Sequence, residues 1–477
     1  MVMGDMVMST ELLIIGNGPG GYGAAYRAAD MGLDVTLVDP RPNLGGTCLF
    51  HGCIPAKTYL FLAKLIEDAK HAERMGVTFD EPIIDIKAIR NWKNQIITSI
   101  ADDLTLIGEK RNIQLIKGRA TFTSSTNVRL TDSEVNRITF KHAIIATGSR
   151  PIALVNAPFN AGSRIMNSSA GLDLRDIPKN LLIVGGGCVG LEIGSIYASL
   201  GSKVSLVESQ NRLLSDTDHD LVLPLTRKLN RLFHEIRLNT TCIGLDEEPD
   251  CVNVTVDGNE GVKTDQFDRV LVAIGRRANS DNLDLENTTV AVDSVGNIKT
   301  NDQQRTNDKR IFAVGDVTGG AMLAHKATRE GRIAAEVIGG KHSGFDTLAI
   351  PVITYTDPQI AWCGLTEERA KRENIPIRVQ IFSFKHAGRA QTLGSTDGFT
   401  KLILNPDSGR ILGLGVTGRD TEGLISEGVL AIEMGALAED LALTLHPYPT
   451  LSETLGEAAE MDVGSPIHIF PQKRTRG

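Results

Sequence analysis

Short, almost wholly apolar runs recur along the chain, each closed by a glycine turn or an acid. LLII fills Leu12–Ile15, VTLVD ends on Asp39, and AIIATG, VLVAIG and IFAVGD repeat the form at 143–148, 270–275 and 311–316. Runs this short, apolar on both faces and bounded by turn residues, predict strands of a parallel sheet covered by helices. An Ala-rich helical stretch separates LLII from VTLVD, giving a strand–helix–strand unit. The unit returns 169 positions on, from Gly16 to Gly185, in NLLIVGGGCVGLEIGSIYASLGSKVSLVES. From about residue 349 the pattern changes to strand-like runs, TKLILN and ILGLGVTG, followed by helices without a glycine-rich turn. The chain therefore reads as α/β, two similar α/β units and a separate α+β unit.

A length of 477 residues agrees with about three domains. Net charge is −8 and no basic stripe is interleaved with aromatics, so no nucleic-acid partner is expected; the basic stretch KRTR near the end reads as a solvated tail. Six cysteines are too few for a secreted disulfide framework, and MVMGDMVMST lacks the pattern of a signal peptide. With no apolar run approaching membrane length, a soluble cytoplasmic protein is expected.

The glycine turns carry the first chemistry. Gly16-x-Gly18-x-x-Gly21 lies between strand and helix, where glycines admit a pyrophosphate to the helix N-terminus and let helix and strand pack closely. Asp39, at the end of the next strand, can accept from a ribose hydroxyl. Gly185, Gly187, Gly190 and Glu208 repeat the arrangement, so two Rossmann-like domains and two dinucleotides are implied. Glu208 would repel a 2′-phosphate and favour NAD over NADP, with Arg212 nearby acting in the opposite sense. Cys188, inside the second turn, reads as a small packing residue. RIFAVGD delivers Asp316 to the carboxyl end of a strand, where doubly wound sheets bind ligands.

GGTCLFHGCIPAK, residues 45–57, sets Cys48 and Cys53 five positions apart. In regular helix that separation is ~7.5 Å, beyond the usual Cα span of a disulfide. A turn broken at Gly52, with Pro55 in the following helical turn, would allow the sulfurs to meet at a helix start, which favours a thiolate. Two unpaired buried cysteines are the alternative that spacing leaves open.

Taken together, the chain resembles the FAD/NAD-linked flavoprotein disulfide oxidoreductases, and within them the dihydrolipoamide dehydrogenases. GGTC…GCIPAK is similar to the family's redox-disulfide motif, RIFAVGD to its second FAD motif and HPYPTLSE, at 446–453, to its interface motif. The resemblance implies an FAD domain at 1–150 completed by 281–348, an NAD domain at 151–280 and a dimerisation domain at 349–477. For FAD it implies Gly16, Gly18 and Gly21, Asp39 on the adenosine ribose, and Gly46-Thr47 on the pyrophosphate. Ala120, Gly148, Asp316 and Ala324 fall where the family contacts flavin or ribityl groups. For NAD it implies Gly185, Gly187, Gly190, Glu208 and the Gly275 turn, with Cys242 near the adenine wall. Lys57 matches a lysine beside the flavin and Glu192 its partner carboxylate, an ordinary solvated pair being the plainer reading. Cys53 becomes the thiolate facing the flavin and Cys48 the sulfur that exchanges with substrate. A homodimer is implied, each subunit completing the other's disulfide site, acting on a lipoyl-bearing protein or small disulfide.

The sequence departs from that pattern where a histidine should stand five residues before Glu453, because Tyr448 occupies the place. A phenol, with an ordinary pKa of about 10, cannot hold a thiol proton near neutrality as imidazole can. His446 is read either as a substitute base or as structural. Glu453 is read either as the orienting acid or as part of a capping box with Thr450. His51, between the cysteines, tunes a thiolate or is an ordinary histidine at a helix start. The Tyr448-Pro449 peptide is expected to be cis. A mercuric-type or other small-disulfide reductase and a non-catalytic FAD-holding scaffold are the alternatives. No cysteine follows Cys363 to deliver a metal, and no resident metal is expected. The intact cysteine pair speaks against a scaffold.

Overall fold

The computed structural model describes residues 6–470; the KRTR stretch lies outside them. In the first unit, parallel strands Val35–Asp39, Val7–Ile15, Arg137–Ile145 and Ile311–Ala313 lie side by side. The register sets Ile15 against Val38 and Ile145, and Ile145 against Ala313. That alignment brings Gly16, Ala146 and Val314 to one edge, their amides bonded to Val38, Ile15 and Ile145 carbonyls. The strands are buried on both faces, as their unbroken apolar runs require. The antiparallel hairpin Arg119–Ser124 and Asn127–Thr131 extends the sheet.

The second unit repeats the plan: Glu235–Arg237, Lys203–Val207, Asn180–Val184, Arg269–Val272 and Ile165–Met166 form a parallel sheet. The likeness extends to atoms. Gly16 and Gly185 both have φ +110°, and a Cβ there would lie 2.2 Å from the Ala146 carbonyl oxygen and 2.4 Å from that of Ala273. Only glycine fits either place. The third unit is an antiparallel five-stranded sheet, from Val352–Thr354 to Ile411–Gly418, packed by helices Thr421–Glu433 and Glu453–Val463. Among the described residues no helix is long and apolar enough to cross a membrane.

Ionic contacts join the units. Lys401, fully buried in the third sheet, places Nζ 2.8 Å from Asp218, 2.7 Å from Asp220 and 2.8 Å from Glu367. The three carboxylates lie close enough together to suggest a metal, but the Lys401 ammonium occupies their centre. Burial works against that charge and the three hydrogen bonds more than offset it, so the Lys401 pKa is raised.

Candidate active site

Cys48 lies in the short helix Gly46–His51, and Cys53 opens the helix Cys53–His71. Gly52 breaks the two at φ −142°, ψ −108°, with Pro55 in the turn that follows. A Cβ on Gly52 would stand 3.2 Å from the Thr47 carbonyl oxygen and 3.5 Å from the Cys48 Cα, so the break is closely packed. The turn expected from the sequence is present, and it brings the two sulfurs into hydrogen-bond contact as thiols. That contact lowers Cys53 to about 7, with help from the Lys57 ammonium and against burial and Glu192. Cys48 is pushed the other way, by the same contact and by burial. The pair is thus polarised: Cys53 becomes the thiolate near neutrality while Cys48 keeps its proton.

Lys57, one turn beyond Cys53, points Nζ at both oxygens of Glu192, at 3.0 and 2.9 Å. Glu192 is 3% exposed, so the solvated-pair reading does not hold. Its Oε1 also accepts from the Tyr355 amide at 2.9 Å and the Cys188 thiol at 3.5 Å. The ammonium lies 4.5 Å from the Tyr355 ring centre. Burial opposes the charge on Lys57, and Glu192 with its neighbours raises the pKa overall. Cys188 packs at this junction, its thiol pushed up by burial and by Glu192.

The first dinucleotide turn fits an extended diphosphate. Gly18 stands against Gly46 so closely that a Cβ on Gly46 would be 2.4 Å from the Gly18 Cα, and Thr47 follows in the same helical turn. Asp39 accepts from the Asn17 amide at 3.1 Å and the Arg41 amide at 2.8 Å. Ala120, expected at the flavin or ribityl groups, is buried in the strand Arg119–Ser124, two residues past Gly118, whose amide donates to the Asp39 carbonyl. Gly148 has φ +70° and open space where a Cβ would stand. Ala324 opens the helix Ala324–Ile338, whose N-terminus has no side-chain cap.

Asp316 accepts from the Ser149 hydroxyl, which itself accepts from Arg276 Nε at 2.7 Å. Ser149 and Arg276 escaped the sequence reading, although the runs carrying them did not: TGSRP and IGRR pair as antiparallel strands, Ser149 opposite Ala278.

The second turn borders a cavity of about 680 Å³ lined by Gly185, Gly187, Glu208, Cys242, Gly275 and Arg276. Gly187 has nothing within 4 Å of its Cβ position, leaving the backbone open to a pyrophosphate. Glu208 accepts from the Gly186 amide at 2.6 Å and the Gln210 amide at 2.7 Å. Arg212 is turned away, paired with Glu368 at 2.6 Å, and leaves Glu208 unopposed. A 2′-phosphate about 4 Å from that carboxylate costs roughly 1–4 kcal/mol. NADH should therefore exceed NADPH in kcat/KM by about tenfold or more, and Glu208→Ala should narrow the gap. Equal kcat/KM for both in the unmutated protein would contradict this.

At the interface motif, Tyr448 is 71% exposed and its bond to Pro449 is cis, as expected. Glu453, the first residue of its helix, accepts from the Thr450 amide at 2.8 Å, while the Thr450 hydroxyl donates to the Pro447 carbonyl and the cap position falls on Ser452 rather than on Thr450. His446 is half-buried and engaged at both ring nitrogens: Nδ1 with the Thr444 carbonyl at 3.0 Å, Nε2 with Glu427 at 2.8 Å. Glu427 raises its pKa, against burial. With both ring nitrogens hydrogen-bonded, neither is open to a substrate proton in this arrangement, which favours the structural reading of His446. A raised folded pKa adds stability that is complete below the ordinary value of about 6.5 and fades as pH rises through the folded one. His446→Gln should therefore lower the melting temperature more at pH 6 than at pH 9, and an equal loss at both would show an uncharged ring.

The profile described as pyridine nucleotide-disulphide oxidoreductase matches residues 10–331, and that family's dimerisation domain matches 350–459. The chain belongs to that family. Its cofactors are FAD and NAD, and it is an NAD-dependent flavoprotein disulfide oxidoreductase. It is 43% identical to a dihydrolipoyl dehydrogenase of Buchnera aphidicola from Schizaphis graminum, covering 98% of each chain. It is 41% identical to one of Geobacillus stearothermophilus, over 98% of this chain and 100% of the relative. Among solved structures it is similar to LpdA from Mycobacterium tuberculosis, with TM-score 0.87 and 26% identity over 94% of this chain and 99% of that one. The HOCl-induced flavoprotein disulfide reductase RclA from Escherichia coli aligns with TM-score 0.83 and 25% identity over 94% and 99%.

Proposed function

We propose that this protein is a cytoplasmic homodimeric dihydrolipoyl dehydrogenase, oxidising the dithiol of a lipoyl-bearing protein, or a related small disulfide couple, with NAD. The polarised Cys48/Cys53 pair beside Lys57 and Glu192 carries the reading. FAD held in the first unit would supply the two-electron carrier between the dithiol and NAD. Gly16, Gly18, Gly21, Asp39, Gly46 and Thr47 hold its diphosphate and ribose, with Gly148, Asp316 and Ala324 at the flavin end. Gly185, Gly187, Gly190, Glu208, Cys242 and Gly275 hold NAD.

Cys48 exchanges with the substrate, and Cys53 is the leaving thiolate, stabilised by Lys57 while Cys48 is bonded to substrate and by the Cys48 thiol once the substrate has left. Lys57 is fixed by Glu192, which is tied in turn to the Tyr355 amide. Leu443, Leu445, Tyr448, Ile467 and Phe470 are all exposed large side chains of the dimerisation domain, the kind of surface that a second subunit would cover. The test is oxidation of dihydrolipoamide by the FAD-loaded protein with NAD, alongside sedimentation. Dimers that reduce NAD are expected, whereas an active monomer or an inert FAD-loaded dimer refutes the reading.

A further inference from the structure

Tyr448 leaves the dithiol chemistry without a neutral-pH proton acceptor at position 448, and both ring nitrogens of His446 are engaged. A third histidine stands beside them. The His468 ring lies parallel to that of Tyr448, interplanar angle 2° and centroids 6.3 Å apart. Its Nδ1 is 2.5 Å from Glu457 Oε1, on the helix Glu453–Val463. Glu457 is nearly buried, whereas His468 is 37% exposed. A carboxylate at Nδ1 keeps the ring proton there and turns Nε2 into the lone-pair acceptor. Among the described residues Nε2 has no partner. The titratable groups around the ring are Glu457 and Glu460 on that helix, with Tyr448 and His446 on the loop before it.

We infer that His468, oriented by Glu457 and packed on Tyr448, is the catalytic base for the dithiol substrate at the partner subunit's disulfide. This rests on the function proposed above. The first substrate thiol gives its proton to Nε2, and its sulfur attacks the Cys48 sulfur. The Cys48–Cys53 bond breaks and Cys53 leaves with the electron pair as thiolate. The second substrate thiol then attacks the sulfur bonded to Cys48, which leaves and takes up a proton. The substrate ends as a disulfide. Of its two protons, one is on Cys48 and the other on the imidazolium, which faces the negative charge of Cys53. Glu457 is a positioning residue, acting through the ring.

The test measures dihydrolipoamide oxidation across pH in the FAD-loaded dimer for His468→Gln, Glu457→Gln and His468→Gln with Tyr448→His. General-base help is worth ~10²–10⁴-fold, so His468→Gln should lose about a hundredfold at neutral pH. Its rate should climb towards the substrate thiol's own ionisation, where the unmutated enzyme has levelled off. Glu457→Gln should keep part of the rate, lowering kcat while leaving KM near that of the unmutated enzyme, since it frees the ring from its fixed orientation without removing Nε2. Adding Tyr448→His to His468→Gln should restore most of the neutral rate. Because His468 is partly exposed, unchanged sedimentation and melting temperature are expected of His468→Gln. An active unmutated enzyme with His468→Gln unaltered in rate and pH profile overturns this assignment alone. An unmutated enzyme without dihydrolipoamide activity overturns the functional reading and this assignment together.

Discussion

Cys53→Ser should reduce dihydrolipoamide oxidation to background at every pH, and Cys48→Ser should do the same. A serine hydroxyl leaves the fold of the Gly52 turn undisturbed but cannot complete a sulfur–sulfur bond, so neither variant can store the two electrons. The variants should differ elsewhere. Cys53 is held at about 7 chiefly by the Cys48 thiol, with the Lys57 ammonium as a weaker support. Removing that thiol in Cys48→Ala should move the onset of Cys53 thiolate absorbance to higher pH. Cys53→Ser should show no thiolate near neutrality, because burial still disfavours the Cys48 thiolate once the Cys53 thiol is gone. A Cys53 variant keeping a tenth of the activity would remove the pair from the mechanism. An unshifted thiolate in Cys48→Ala would place the cause of its low pKa elsewhere.

Lys401→Met should be among the most destabilising single changes. It leaves Asp218, Asp220 and Glu367 facing one another without the ammonium that three hydrogen bonds hold among them. Lys401 and Asp218 are buried but Asp220 and Glu367 are a third or more exposed, so the loss should fall below the ~3–5 kcal/mol of a fully buried set. A melting temperature several degrees lower is expected. Replacing the lysine and all three acids together with neutral residues should recover most of that loss, because no uncompensated charge remains. If Lys401→Met melts within a degree of the unmutated protein, the cluster is not what joins these units.

The twin dinucleotide turns were legible because each is local: an apolar run, three glycines and an acid within about 25 residues fix strand, turn and ligand-facing carboxylate together. Atomic likeness at Gly16 and Gly185, and at Asp39 and Glu208, follows from that. Lys57 and Glu192 are 135 positions apart, and no periodicity links them; resemblance alone paired them. Ser149 and Arg276 were missed because strands of three residues carry too little pattern to predict pairing. His468 had no signal, since it follows the last helix in a segment without hydrophobic period, and only the folded chain brings it to Tyr448. The capping-box reading of Glu453 put the helix cap at Thr450, whereas it falls on Ser452.

Glu192 belongs to the second unit, Lys57 to the first and Tyr355 to the third, so one side chain fastens all three at a single point. A joint of this kind leaves no hinge. The cleft that receives NAD cannot breathe by swinging one unit away from the others without stripping a buried carboxylate of its donors. Any such opening is then expected to break the Lys57 and Tyr355 contacts to Glu192 together, as one cooperative step.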